Sequence, residues 1–163
     1  MPMIDLTYPA GALSESAKTE LLQTLWRTCL RWEALPESPA TASIAWVYLD
    51  ERPPAHISVG GAQPARPVYR AQVSVMAGFM EQSRIDGLVR EVTDAILKAD
   101  GGGSDGATPR VFCLVAEIPS GTWGVDGAAW HSATAAELVG LAPERVQGIA
   151  EAVASRPRVD VPA

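Results

Sequence analysis

Histidine and cysteine are scarce in this chain, two of each in 163 residues, and the scarcity removes several classes of function. Cys29 and Cys113 sit in apolar patterns with no Cys or His nearby at metal-ligand spacing, so a metal centre is not expected and both read as core residues. His56 falls in a turn-rich stretch and reads as an exposed turn residue rather than an acid or a ligand. No basic run appears and the formal net charge is -6. Phosphate contacts are made mostly by Lys and Arg, so nucleic acid is not an expected partner. An apolar stretch long enough to cross a bilayer is also missing, as is a charged leader with an apolar core and cleavage site. A cytoplasmic chain with no membrane partner is expected.

What the chain does have is a 47% hydrophobic and 20% charged composition, enough for one domain with a sizeable core. It also carries an internal duplication. Residues 6–16 align with 73–83, sharing Ala-Gly in the turn and the final Ser. Leu21, Leu22, Leu25, Cys29 and Leu30 then correspond to Leu88, Val89, Val92, Ile96 and Leu97. Apolar residues recur there at helical spacing on one face, which predicts two amphipathic helices. Ser14-Glu15 and Glu81-Gln82-Ser83 suit their capped, dipole-positive entrances.

Two further strands are predicted at 43–49 and 110–115, rich in β-branched and aromatic residues. Each runs on to a matching end, Glu51-Arg52-Pro53 and Glu117-Ile118-Pro119, and then to Val59-Gly60-Gly61 and Val125-Asp126-Gly127. A βαβ unit this small cannot cover its own sheet. The expected fold class is therefore α/β: tandem β-α-β repeats, about 2–65 and 66–127, forming a four-stranded mixed sheet with two helices on one face. Trp46, Val47, Tyr48 and their counterparts read as strands apolar on both faces, so another copy of the chain should cover the second face. Residues 60–67 read as a connector and 100–106 as a flexible loop. Residues 128–163 read as a tail with one short helix over 143–155, started by proline.

The first strand, Pro2-Met3-Ile4-Asp5-Leu6-Thr7-Tyr8, carries the candidate chemistry. Removal of Met1 would leave the secondary amine of Pro2 at the terminus. A chain-terminal amine titrates at roughly pH 8, and burial or neighbouring cations disfavour its charged form, bringing it into range for proton abstraction near neutrality.

Together these residues resemble the tautomerase superfamily, whose members carry a catalytic amino-terminal proline on a βαβ unit. The likeness covers residues 2–127. It rests on the Pro2-Met3-Ile4-Asp5 start, on Ala10-Gly11 before a helix, and on Glu117-Ile118-Pro119-Ser120-Gly121-Thr122-Trp123-Gly124-Val125-Asp126-Gly127, which looks like the family's strand-end and hairpin with Trp123 at its active-site aromatic position. The resemblance implies a fused two-repeat, 4-oxalocrotonate tautomerase-like member and a homotrimer. Only one half can offer an amine, because Tyr69 stands at the Pro2 position of the second.

The chain departs from the pattern where the small tautomerases place carboxylate-binding arginines: Ala12, Phe79, Trp46 and Phe112 stand there. The dehalogenase and decarboxylase branches place arginines in the turn now occupied by Met76-Ala77-Gly78-Phe79-Met80, which counts against both. By analogy the pocket around Pro2 is apolar, formed by Met76, Phe112, Leu114 and Trp123, although Phe112 and Leu114 serve equally well as core. Arg70 and Arg110 are the candidate substrate-binding cations, with Arg66 a further choice; Arg110 is two residues before Phe112 and should share its side of the strand.

The reading is a tautomerase-like isomerase acting on a small keto or enol acid through Pro2, with no metal or organic cofactor. A proline-dependent hydratase or decarboxylase and a noncatalytic oligomeric binding protein are the alternatives.

Overall fold

The computed structural model describes residues 2–102 and 109–156. Residues 103–106 of the expected loop and the end of the tail lie outside the described residues, as does residue 1.

Strand β1 (Met3–Pro9) turns at Gly11 into α1 (Glu15–Trp32), whose first turn is closed by the Ser14 side chain accepting from the Ala17 N–H at 3.2 Å. The second half repeats this with β3 (Tyr69–Met76) and α3 (Gln82–Ala99). Both helices are 18 residues long, and each ends on an acidic residue, Glu33 after α1 and Asp100 after α3. Strands β2 (Trp46–Arg52) and β4 (Val111–Ile118) complete a sheet of order β2-β1-β3-β4. β1 pairs parallel with β2 and antiparallel with β3, and β3 pairs parallel with β4. The sheet is four-stranded and mixed, as the duplication predicts.

β2 starts three residues later than the sequence pattern suggests. Ser38 and Thr41 form a reciprocal capping box with Pro39 behind it, and this draws Pro39–Ser43 into a short helix, α2. Local side-chain-to-backbone bonds outweigh the apolar run there.

Alternation sets the two faces of the sheet. Ile4, Leu6 and Tyr8 of β1 and Tyr69, Ala71, Val73 and Val75 of β3 are buried beneath α1 and α3, against Leu21, Leu25, Cys29, Leu88, Val92 and Ile96. The opposite face is open in the single chain, where the apolar strands lead one to expect another copy as cover. Its two outer strands present Trp46, Tyr48, Phe112 and Leu114, between 45% and 64% exposed. Asp5, Thr7, Arg70 and Gln72 lie between them.

β4 leads to a hairpin of β5 (Trp123–Val125) and β6 (Ala128–Trp130), followed by α4 (Ser132–Leu138), which the sequence pattern did not indicate, and α5 (Pro143–Ala154). α5 docks on the turn after β3. A Cβ on Gly78, which has φ +90°, would lie 2.9 Å from the Ile149 carbonyl, and the Arg145 guanidinium donates to the Phe79 carbonyl at 2.7 Å.

α1 and α3 meet where Trp32 packs against Gly87, and a Cβ there would lie 2.0 Å from the nearest atom of the indole ring. Gly87→Ala gains helix propensity of about 1 kcal/mol but overpacks a buried contact, typically costing about 1–3 kcal/mol. A lowered melting temperature is expected. Gly148→Ala, in α5 with open space around it, should raise it by the propensity gain alone; thermal melts of the two variants check both signs.

Candidate active site

Pro2 is buried at the entrance of β1, where its carbonyl accepts from the Trp46 N–H at 3.1 Å. The antiparallel register sets Met3 opposite Ser74. The amino-terminal end of β1 therefore meets the carboxyl-terminal end of β3, and Met76, fully buried as the last residue of β3, belongs to the same end of the sheet. Ile118 closes β4 beside it, its carbonyl accepting from the Ala77 N–H at 2.9 Å. The hairpin that follows packs Trp123, opposite Trp130, against the core.

The other sequence-predicted residues lie elsewhere. Arg70 pairs with Thr7 across β1 and with Phe112 across β4. Thr7 is five residues along the strand from Pro2, roughly 16 Å at strand rise. Arg70 is exposed on the open face, donating to Gln72 at 3.2 Å. Phe112 shares that far row, and Leu114 lies opposite Gln72 on the same open face. Within one chain, none of the three is brought to Pro2.

Arg110 fails the shared-side expectation for a different reason. It precedes β4, and its side chain turns inward to donate to Asp100 at 2.5 Å and to the Pro67 carbonyl at 3.0 Å. Asp100 also accepts from the Tyr69 hydroxyl at 2.6 Å. Arg110 is thus one arm of a buried lock at the far end of the sheet, while Phe112 is 64% exposed. Arg66 borders the same corner, beside Pro109 and Arg110.

Glu33 is the residue that sequence reasoning missed at the Pro2 end. It is completely buried one residue beyond α1. Burial pushes its carboxyl up, while the amino terminus, by Coulombic attraction and a hydrogen bond, pulls it the other way. Cys29 lies one turn back on α1, and burial pushes its thiol well up, with the Glu33 carboxylate adding to the effect. Cys113 is likewise pushed up by burial, to about 11. A signal for Glu33 was present in the duplication: the offset that carries residue 2 to 69 carries residue 33 to 100.

Two guanidinium groups are anchored at this end. Arg84 of α3 donates to the Trp32 carbonyl at 3.1 Å, and Arg145 of α5 holds the Phe79 carbonyl. Burial lowers the Arg145 pKa, and the nearby Arg84 charge adds to this. Among the described residues, no group of three or more His, Cys, Asp or Glu could hold a metal ion, and no helix is long and apolar enough to cross a membrane.

No protein-family model matches the sequence, and no curated protein matches it. Solved structures do. Pt0534 inactivated by 2-oxo-3-pentynoate superimposes with a TM-score of 0.66 at 19% identity, covering 81% of this chain and 98% of that one. The wild-type Q0 fused 4-OT, a symmetric trimer, matches with a TM-score of 0.64 at 23% identity over 78% of this chain and 94% of its own. The chain has the fold of these structures, the one that its resemblance to the tautomerase superfamily implies. The macrophage migration inhibitory factor of Toxoplasma gondii shares this tautomerase fold more remotely, at 0.61 and 12% identity over 78% and 99% of the two chains.

Two outcomes test the electrostatics. Arg110→Ala strands a buried carboxylate and should cost about 3–5 kcal/mol, whereas Arg70→Ala, which removes one exposed bond, should stay within about 0.5 kcal/mol; urea unfolding separates them. The folded chain holds the Glu33 proton to higher pH than the unfolded chain, whose glutamate has the ordinary value of 4.5. Between those two values the folded state binds more protons, so stability is full below the lower value and falls as pH rises through the higher one. Glu33→Gln should flatten that slope in unfolding curves recorded across pH.

Proposed function

We propose that the chain, once Met1 is removed, is a tautomerase-like isomerase in which the neutral Pro2 amine takes a proton from the carbon or enol oxygen of a small 2-oxo or 2-hydroxy acid and returns it to a neighbouring position. The observation that carries this reading is the burial of Pro2 at the start of a central strand, at the sheet end that also holds Met76 and the Trp123 hairpin. A positioned base is typically worth about two to four powers of ten in rate, and an apolar surround favours its neutral form. That one fold neighbour is described as inactivated by a 2-oxo acid, 2-oxo-3-pentynoate, supports the substrate class.

The developing oxyanion needs a donor. Arg70 and Arg110 occupy the far end of the same sheet, so within one chain the groups for this task are Arg84, Arg145 and the amides of the hairpin. In the cytoplasmic homotrimer we propose, the open sheet face is covered by other copies, which buries Trp46, Tyr48, Phe112 and Leu114. The trimeric description of fused 4-OT neighbours supports this assembly.

Ketonisation of phenylenolpyruvate, followed by ultraviolet absorbance on protein confirmed by mass to lack Met1, tests the function. Pro2→Ala, which replaces the secondary ring amine with a primary one, should lose at least about a hundredfold in kcat/KM. Equal rates for the two proteins would exclude proline base catalysis. Native mass spectrometry checks the trimer.

A further inference from the structure

The isomerase reading assigns no role to the one carboxyl at the Pro2 end that is wholly buried. Burying a carboxyl without a partner is costly, and Glu33 is not without one. Its place in the fold is duplicated. In the second half the residue after the helix, Asp100, turns toward the first residue of its strand and accepts the Tyr69 hydroxyl at 2.6 Å. In the first half the residue after the helix is Glu33, Pro2 lies buried just before the first strand, and the amino terminus that hydrogen-bonds the carboxyl is the one directly ahead of Pro2, carried by Met1 until that residue is removed. The same backbone arrangement aims an acid at the mouth of a strand twice, and only the group it meets differs.

We propose that Glu33 is a positioning residue whose carboxyl is the hydrogen-bond and charge partner of the Pro2 amine, orienting it and deciding the pH at which it can take a proton. This rests on the isomerase reading for its consequence in catalysis, though not for the pairing itself. A carboxylate beside an amine favours the ammonium form, opposing the effect of the apolar surround. The pair therefore titrates as a unit, and proton abstraction by Pro2 is switched on at a higher pH than burial alone would give. The other groups around Glu33 are Cys29 on its own helix, Cys113 of β4, which acts on Cys29, and Arg84 of α3, held on the Trp32 carbonyl, with Arg145 of α5 near Arg84. Burial keeps both thiols protonated near neutrality, and Glu81 lies 3.8 Å from Arg84 and also acts on Arg145, so among the described residues the amino terminus is the charge that acts on Glu33.

The test reads the amine directly. 2-Oxo-3-pentynoate accepts a neutral amine at the alkyne carbon distal to the ketone: a C–N bond forms, the amine proton passes to the proximal carbon, and nothing leaves. The rate of this labelling is followed by intact mass across pH, with peptide mapping to Pro2, on protein lacking Met1. In Glu33→Gln the acid limb should move down by about one to three pH units, so that well below the wild-type limb the variant labels at least about ten times faster. Glu33→Asp, which keeps the charge but sets it back by one methylene, should place the limb between the two. A purely structural role would alter melting temperature and leave the limb where it is. Limbs that coincide with wild type overturn the proposal, and the Asp variant alone decides if the Gln variant does not fold. Phenylenolpyruvate turnover is measured on the same samples. Absent turnover with a shifted labelling limb would refute the isomerase reading and keep the pairing, whereas turnover with an unmoved limb would do the reverse.

Discussion

The antiparallel pairing of β1 with β3 is the join on which the rest of this structure depends. Each β-α-β half has one apolar sheet face and one amphipathic helix, too little to close a core alone. Setting the two halves head to tail lets α1 and α3 lie side by side over a continuous four-stranded sheet, with Ile4, Leu6, Val73 and Val75 in its centre. The same join fixes where chemistry can occur. Because the strands run in opposite directions, the mouth of the first strand and the mouth of the second are at opposite ends of the sheet, so residues that look equivalent in the repeat are far apart in space.

The two ends have diverged in how they satisfy a buried acid. At the Tyr69 end, Asp100 is surrounded by donors supplied by side chains, a phenol and a guanidinium, and the Arg110 side chain is as deeply buried as the carboxylate it holds. Burying such a pair gains little over an apolar contact, but breaking it leaves a charge with no solvent, so the arrangement fixes geometry more than it adds stability. At the Pro2 end Glu33 faces a terminus. The tail adds a layer there that the duplicated halves lack: α5 rests on the Gly78 turn, and its Arg145 occupies the Phe79 carbonyl.

The sequence made the repeat legible because helical periodicity and the shared turn residues are local signals, and the sheet order follows from them once one asks how two small units cover each other. The start of β2 was not legible from propensity, since the Ser38 and Thr41 side chains bond back to the local backbone and curl a segment that is otherwise strand-like. Within one chain the candidate cations are kept from Pro2 by register and parity. Arg70 is adjacent in sequence to the repeat position of Pro2, yet the antiparallel join carries that position to the wrong end. Arg110 and Phe112 would share a face only if the strand extended through both, and it begins at Val111. Glu33 went unseen because an acid just past a helix reads as solvated, and only its alignment with Asp100 marks it as a residue that turns inward.

One contrast between the two ends has a temporal meaning. The lock of Tyr69, Asp100 and Arg110 is made of side chains from a single half, so it is complete once the chain has folded. Its counterpart in the first half has the chain terminus as one member, and in the function proposed above the identity of that member would be set by the trimming of one residue. On that proposal the symmetry of the duplication would be broken not by a substitution alone but by processing: one end of the sheet is finished by folding, and the other would be finished by an event that happens to the chain from outside.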